Sequence, residues 1–178
     1  SDVVDESLIP ELVKRSDAQD PGIRLGMVRL LKKFDTALVR STLMDRLNDE
    51  ARQVRAESLD ALATMDSAVD IGVFCKLLKD PDMNIQTRAI DAVVQRNDPG
   101  VIPHLVELLK DKSEHVRRAA VEVLNGLEFE SAVKDLLVAL KDEDWWVRAR
   151  AADALARIGG RRVVEAVVRL LRNDDEYI

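Results

Sequence analysis

Trp146-Val147-Arg148-Ala149-Arg150-Ala151-Ala152-Asp153-Ala154-Leu155 is the stretch whose reading decides the fold, because its pattern recurs upstream at a fixed interval. Its aliphatic residue and the Arg or Gln after it stand at Ile23-Arg24, Val54-Arg55, Ile85-Gln86, Val116-Arg117 and Val147-Arg148, 31 residues apart each time with no insertion or deletion. A period of that length, filled with helix-forming residues, indicates a helical solenoid. Each unit is then an antiparallel pair of helices, outer and inner, that buries its apolar face only against its neighbours. The expected fold class is all-α.

Working outward from that pair, the inner helices are expected at 23–34, 54–65, 85–96, 116–127 and 147–158, and the outer helices at 6–16, 37–47, 69–78, 102–109, 131–140 and 162–171. The repeats fall at approximately 6–35, 36–66, 67–97, 98–128 and 129–160, with an unpaired outer helix of a sixth at 161–178. Turns are marked by Asp20-Pro21-Gly22, Asp80-Pro81-Asp82 and Asn97-Asp98-Pro99-Gly100. Pro10 and Pro103 share a register in an opening helical turn, where a missing N–H costs little. Ile178 lies 31 residues past Val147, where a sixth inner helix would begin. The preceding Val163, Val164, Val167, Val168, Leu170 and Leu171 are too aliphatic for a polar cap. The chain, one domain over 1–178, therefore reads as a fragment of a longer protein.

With the aliphatic residue of each inner helix as position zero, positions four, five, eight and eleven form an apolar stripe. It reads Ala120, Val121, Leu124 and Leu127 in the fourth repeat, and Ala151, Ala152, Leu155 and Ile158 in the fifth. Small residues at position four let helices approach, and the branched ones fill the seam. Asp20, Asp82, Ser113 and Asp144, three before zero, can cap the inner helices; Ala51 cannot, which predicts a frayed start there. Asp49, Asp80, Asp111 and Asp142, five before zero, are placed to form an acid–arginine ladder with Arg24, Arg55, Arg117 and Arg148 of adjacent repeats. Position 18 is Ala, as expected if each Asp pairs backwards, and Gln86 breaks one rung.

Composition narrows the functional classes. Hydrophobic residues make up 47% and charged ones 34%, which describes an ordered, soluble chain rather than a disordered one. With 27 basic against 33 acidic residues the net charge is -6, which weighs against wholesale nucleic-acid binding. Cys75 is the one cysteine, so no internal disulfide or cysteine metal cluster is expected, and its register places it in the core. No apolar run is long enough to span a membrane, and a cytoplasmic location is expected. His104 and His115 stand in dissimilar positions, and no metal spacing, phosphate loop or nucleophile motif is present; no cofactor and no enzymatic activity are expected.

The acidic turn, the Val-Arg pair, the small residues and the Ala-Leu near the helix end resemble HEAT-like repeats of the short phycocyanobilin lyase type. Asp80-Pro81-Asp82, Asp111 through Leu124 and Asp142 through Gly159 carry the resemblance best. It implies a right-handed superhelix whose inner helices line a concave binding surface. It also spans many uses: bilin lyases, scaffolds and helical-repeat DNA glycosylases.

The concave ribbon is expected at inner-helix positions two, three, six and ten. There Arg88 with Asp91, Arg118 with Glu122, and Arg150 or Arg157 with Asp153 lie at helical pairing distance. Trp145-Trp146 occupies turn positions that carry Pro21-Gly22, Arg52-Gln53, Met83-Asn84 and Glu114-His115 in the other repeats, with Arg148, Arg150, Arg157, Arg161 and Arg162 following in sequence. The pair either anchors a ligand or covers the seam to a sixth repeat. The leading expectation is a non-enzymatic protein-interaction scaffold, part of a larger bacterial or archaeal protein. It would bind a protein or peptide through Trp145, Trp146, Arg88, Arg118, Glu122, Arg150, Asp153 and Arg157. A bilin-attachment or chaperone subunit, with a bilin and an apoprotein as partners, is the alternative, and a glycosylase-like DNA-binding protein stands behind it.

Overall fold

The computed structural model describes residues 5–65 and 69–175. In chain order the helices are α1 (Ile9–Arg15), α2 (Pro21–Leu31), α3 (Ala37–Arg46), α4 (Arg52–Thr64), α5 (Ile71–Lys76), α6 (Met83–Arg96), α7 (Ile102–Leu108), α8 (Glu114–Leu127), α9 (Val133–Ala139), α10 (Trp145–Ile158) and α11 (Gly160–Asp175). The architecture is an all-α repeat of helix pairs, and there is no strand among the described residues. Position zero of a sixth repeat, Ile178, and the boundary between repeats two and three lie outside the described residues, as do the side chains of Leu170 and Leu171.

The second helices of the five pairs, α2, α4, α6, α8 and α10, begin at residues 21, 52, 83, 114 and 145. The 31-residue period is thus kept to the residue. They start two residues before the aliphatic residue of each repeat, so Trp145-Trp146 and its counterparts form the first helical turn rather than the connecting turn. The cause is the capping residue. Asp20 accepts from Gly22 N and Ile23 N, Asp82 from Asn84 N and Ile85 N, and Asp144 from Val147 N. A residue that caps from three before position zero makes the next residue the first helical one. Ser113 makes no side-chain capping bond. Ala51 makes none either, yet α4 begins in the same register as its neighbours. There the Asp49 carboxylate accepts Ala51 N at 2.9 Å and holds the turn from two residues upstream.

The far ends of α6, α8 and α10 share a rule too. Asn97, Glu128 and Gly159, each twelve after position zero, adopt φ of 48°, 53° and 62°. A left-handed residue just past the helix turns the chain towards the next pair. In α3 the Thr36 hydroxyl caps Val39 N, and this helix starts three residues early relative to the register of α5, α7 and α9.

The chain forms two compact units, Ser1–Ala89 and Ile90–Ile178, the boundary falling within α6. In the first, α1 packs on α2 and α3 on α4, and the pairs stack through α2 with α4 and α1 with α3. Its core holds Val28, Leu31, Leu43, Leu59, Leu62 and Phe74. In the second, α7 packs on α8 and α9 on α10, and stacking runs through α8 with α10 and α9 with α11. Leu105, Val121, Leu124, Leu136, Ala151 and Leu155 fill it.

The apolar stripe is wider than the sequence reading drew it. Position seven is buried as well, at Ala61, Ala92, Val123 and Ala154. Ala152 departs from the stripe and is exposed, although its equivalents Val28, Leu59 and Val121 are buried. Cys75 is buried, and burial, with Asp70 adding to it, pushes its thiol up to about 12. The thiol therefore stays protonated and inert at neutral pH.

Position four of the second repeat is Ser58, fully buried with its Oγ unbonded, where later repeats carry Ala89, Ala120 and Ala151. Replacing Ser58 with Ala removes an unmet hydroxyl at little cost in volume and should stabilise the protein by about 1 kcal/mol. Leu124→Ala opens a cavity in the second unit and should destabilise it by about 2–5 kcal/mol. Urea unfolding of the two variants and the parent checks both signs.

Candidate functional site

The charged residues of the second helices divide into a set that fastens turns and a set that faces solvent. The fastening set is built alike in both units. Arg24 donates Nε and Nη2 to the Asp49 carboxylate at 2.7 and 2.8 Å, and Nη1 to the carbonyls of Ala18 and Gln19. Arg55 does the same with Asp80 and the carbonyls of Asp49 and Glu50. In the second unit Arg117 bonds Asp142 and the carbonyls of Asp111 and Lys112. Arg148 keeps the two carbonyls of its own turn, those of Asp142 and Glu143. Gln86, in the arginine register, donates to the Leu78 carbonyl instead.

Each aspartate of this register also accepts the backbone N–H two residues on, at Ala51, Asp82, Ser113 and Asp144. One carboxylate thus ties its own turn to the preceding repeat. Hydrogen bonding to Asp49 and to Asp142 raises the pKa of Arg24 and of Arg117. Burial works to raise the Asp49 carboxyl, but Arg24, Ala51 N and Arg46 together hold it below the usual range.

The solvent-facing set is paired across helices more than along them. Arg88 bonds Asp60 of α4, not Asp91 of its own helix. Arg118 donates to Asp144 at 3.1 and 2.5 Å and approaches Glu114 at 3.6 Å; it does not take up Glu122. Glu122 is held by Arg150 through two bonds of 2.6 Å, and Arg150 also reaches Asp153 at 3.3 Å. Arg157 donates to the Asn125 carbonyl at 3.2 Å and lies 3.8 Å from Glu128. A side chain at position six of one second helix meets position three of the next, 28 residues on, as in Arg29–Glu57, Asp60–Arg88 and Glu122–Arg150. A period of 31 less one helical step of three gives this offset, so the pairs are marked in the sequence by opposite charges 28 residues apart rather than three or four apart.

Trp145 is 62% exposed and Trp146 38%. Their rings meet edge to face at 5.6 Å, and the Arg150 guanidinium lies over Trp146 at 5.5 Å from the ring centre. Trp146 is therefore covered by the same arginine that binds Glu122. The structure does not bring the other arginines of this segment to the tryptophans. Arg157, Arg161 and Arg162 belong to the opposite end of α10 and the start of α11, on the order of 20 Å along the helix axis. Ile158 and residues 159–163 there line a groove of about 610 Å³ with Glu130, Ser131, Val133 and Lys134. Among the described residues no group of three His, Cys, Asp or Glu side chains is gathered to hold a metal, and no helix is long and apolar enough to cross a membrane.

The family model of the HEAT repeats matches residues 41–125 and 109–178. No curated protein matches the sequence. Among solved structures, the computationally designed armadillo repeat proteins for modular peptide recognition align at a TM-score of 0.55 and 19% identity, over 91% of this chain and 87% of theirs. A designed armadillo repeat protein in complex with the peptide (KR)4 aligns at 0.53 and 20%, over 91% and 87%. A further engineered protein aligns at 0.51 and 23%, over 91% and 84%. At these identities the likeness is one of fold.

Two predictions follow from the charge geometry. Arg117→Ala leaves Asp142 and two carbonyls without their donor in a largely buried turn, and should cost about 3 kcal/mol in urea unfolding. The Asp144 carboxyl, held by Arg118 and by the N–H groups at the start of α10, is lowered from 3.8 to about 2. A lowered folded-state pKa gives stability that is fully present above about pH 4 and is lost as pH falls through about 2. The stability gap between the parent and Asp144→Asn should therefore be constant from neutral pH down to about pH 5 and close below about pH 4. Denaturant melts across that range measure it.

Proposed function

The chain belongs to the HEAT repeats, and on that premise we propose that it is a non-enzymatic scaffold that holds a peptide or protein segment along its second helices, anchored at Trp145 and Trp146. The observation that carries this reading is the exposed tryptophan pair. Two indoles stand in the first turn of α10, in registers that hold small, polar or unbranched residues elsewhere, and Arg150 fixes the orientation of the second. Tryptophan and arginine are the side chains that most often dominate binding energy, and a ring already held in place loses little entropy on binding.

The designed armadillo repeat proteins that share this fold were made for peptide recognition, and one is bound to (KR)4. They support a peptide-binding use for the same kind of surface. The alternation of acid and arginine along the second helices suits a segment of mixed or basic charge better than a uniform polyanion. Within the family, the acidic turn followed by Val-Arg supports the short phycocyanobilin lyase-type repeat as the nearest variety.

Peptides selected from a random display library on the parent protein test the reading. Their affinity for Trp145→Ala/Arg150→Glu should fall by about tenfold or more while the circular dichroism melt is retained. Equal affinity for the parent and for that folded variant would remove the assignment to this surface.

A further inference from the structure

Of the four arginines in the fastening register, Arg148 alone lacks a carboxylate among the described residues. Its Nη1 donates to the carbonyls of Asp142 and Glu143 at 2.7 and 2.9 Å, just as Arg24, Arg55 and Arg117 hold the carbonyls of their own turns. In those three, Nε and Nη2 together grip an aspartate 25 residues on: Asp49, Asp80 and Asp142. Nε and Nη2 of Arg148 have no partner among the described residues. The residue in the aspartate register is Asn173, an amide, and α11 continues as helix through it to Asp175. The guanidinium is thus held by its own turn with its carboxylate-binding edge open.

Arg148, Ala152 and Ala156 follow one another turn by turn along one face of α10, and all three are exposed. Their equivalents on α8, Arg117, Val121 and Asn125, are 6%, 0% and 3% exposed, in the helix on which α10 stacks. The open face of α10 therefore continues an interface that the unit already contains. The occupant of that interface one period upstream shows what fits: a helix with small buried side chains, Val147, Ala151 and Ala154, led in by a turn that carries an aspartate. Alanine at 152 and 156 lets a helix come close. A second copy of this chain is a poorer occupant. Its α2 exposes Ile23 and Leu30 where α10 buries Val147 and Ala154, but Ala18 and Gln19 stand in the registers of Asp142 and Glu143, so it brings no carboxylate in register.

We propose that this face of α10 docks a helix of a partner protein whose leading turn carries an aspartate, the carboxylate closing on Nε and Nη2 of Arg148. Forked arginine–carboxylate bonds are the strong ones, and a guanidinium already fixed by two carbonyls loses little freedom on binding. No existing ion pair has to break. The docking face goes beyond the scaffold reading and needs neither tryptophan.

The test is a fluorescence-anisotropy titration with a labelled, end-blocked peptide of the sequence of residues 140–160, which holds Asp142 and the whole of α10. The parent protein should bind it saturably. Arg148→Gln in the protein should weaken binding by about fivefold or more, and Asp142→Asn in the peptide should do the same. Against the Asn peptide, Arg148→Gln should have no further effect, because the two changes remove one contact. Ala152→Glu puts a charge into the helix seam and should weaken binding by about tenfold or more. Arg161→Gln, at an exposed arginine paired with Glu165 in its own helix, should change affinity by less than about twofold. Circular dichroism melts confirm that each variant is folded.

A parent that does not bind the peptide overturns the proposal, as does an Arg148→Gln effect no larger than that of Arg161→Gln, or one that persists undiminished against the Asn peptide. If Ala152→Glu fails to fold, the Arg148 and Asp142 pair decides. A parent that self-associates in sedimentation, with Arg148→Gln dissolving the assembly, makes a second copy the occupant and overturns the partner assignment. Library-selected peptides that lose affinity for Trp145→Ala/Arg150→Glu while Arg148→Gln changes nothing leave the scaffold reading standing and remove this one.

Discussion

The rest of the fold depends on one shared carboxylate per turn. Asp49, Asp80 and Asp142 each accept a backbone N–H of their own turn and a forked guanidinium from the repeat before. That arginine spends its remaining donor on two carbonyls of its own turn. Adjacent turns are therefore fixed to each other by polar geometry, while the aliphatic stripe supplies most of the free energy of burial. A hydrophobic seam alone tolerates sliding by a helical step. A bidentate ion pair with two carbonyl contacts does not, and this accounts for helix starts that keep a 31-residue spacing through both units.

Much of this was legible in the sequence because a repeat is its own alignment. Five copies of the aliphatic pair set the period, and the aspartates five residues upstream stood out against Ala18 and Gln86, where the pattern changes. What escaped the sequence reading involves relations between helices rather than along one. A spacing of four pairs Arg118 with Glu122, but Asp144 lies within reach and also caps α10, so a single carboxylate serves both. The arginines after the tryptophans looked like one cluster because they are close in sequence. A helix of 14 residues separates them. Ser113 could cap by residue type and does not, although Asp111 accepts its N–H just as Asp80 and Asp142 accept those of the capping residues Asp82 and Asp144.

The same carboxylate logic constrains where a partner can bind. Of the arginines on the second helices, Arg24, Arg55 and Arg117 are committed to fastening, and Arg88, Arg118 and Arg150 already hold acids. A ligand that competed for any of them would have to break an existing contact and leave a carboxylate without its partner, a cost that offsets much of the new interaction. The groups that can be engaged without such an exchange are those the repeat leaves over.

Two such groups stand out among the described residues of the second unit. Trp145 offers a largely exposed indole set edge to face with Trp146. Asp91 offers a carboxylate whose register partner has been reduced to a methyl group. The constraint that makes the repeats regular therefore also narrows where a further contact can be added. On the second helices, where other charged side chains such as Arg88, Arg118, Glu122 and Arg150 are already paired, the departures from the period are the positions at which binding adds a contact without removing one.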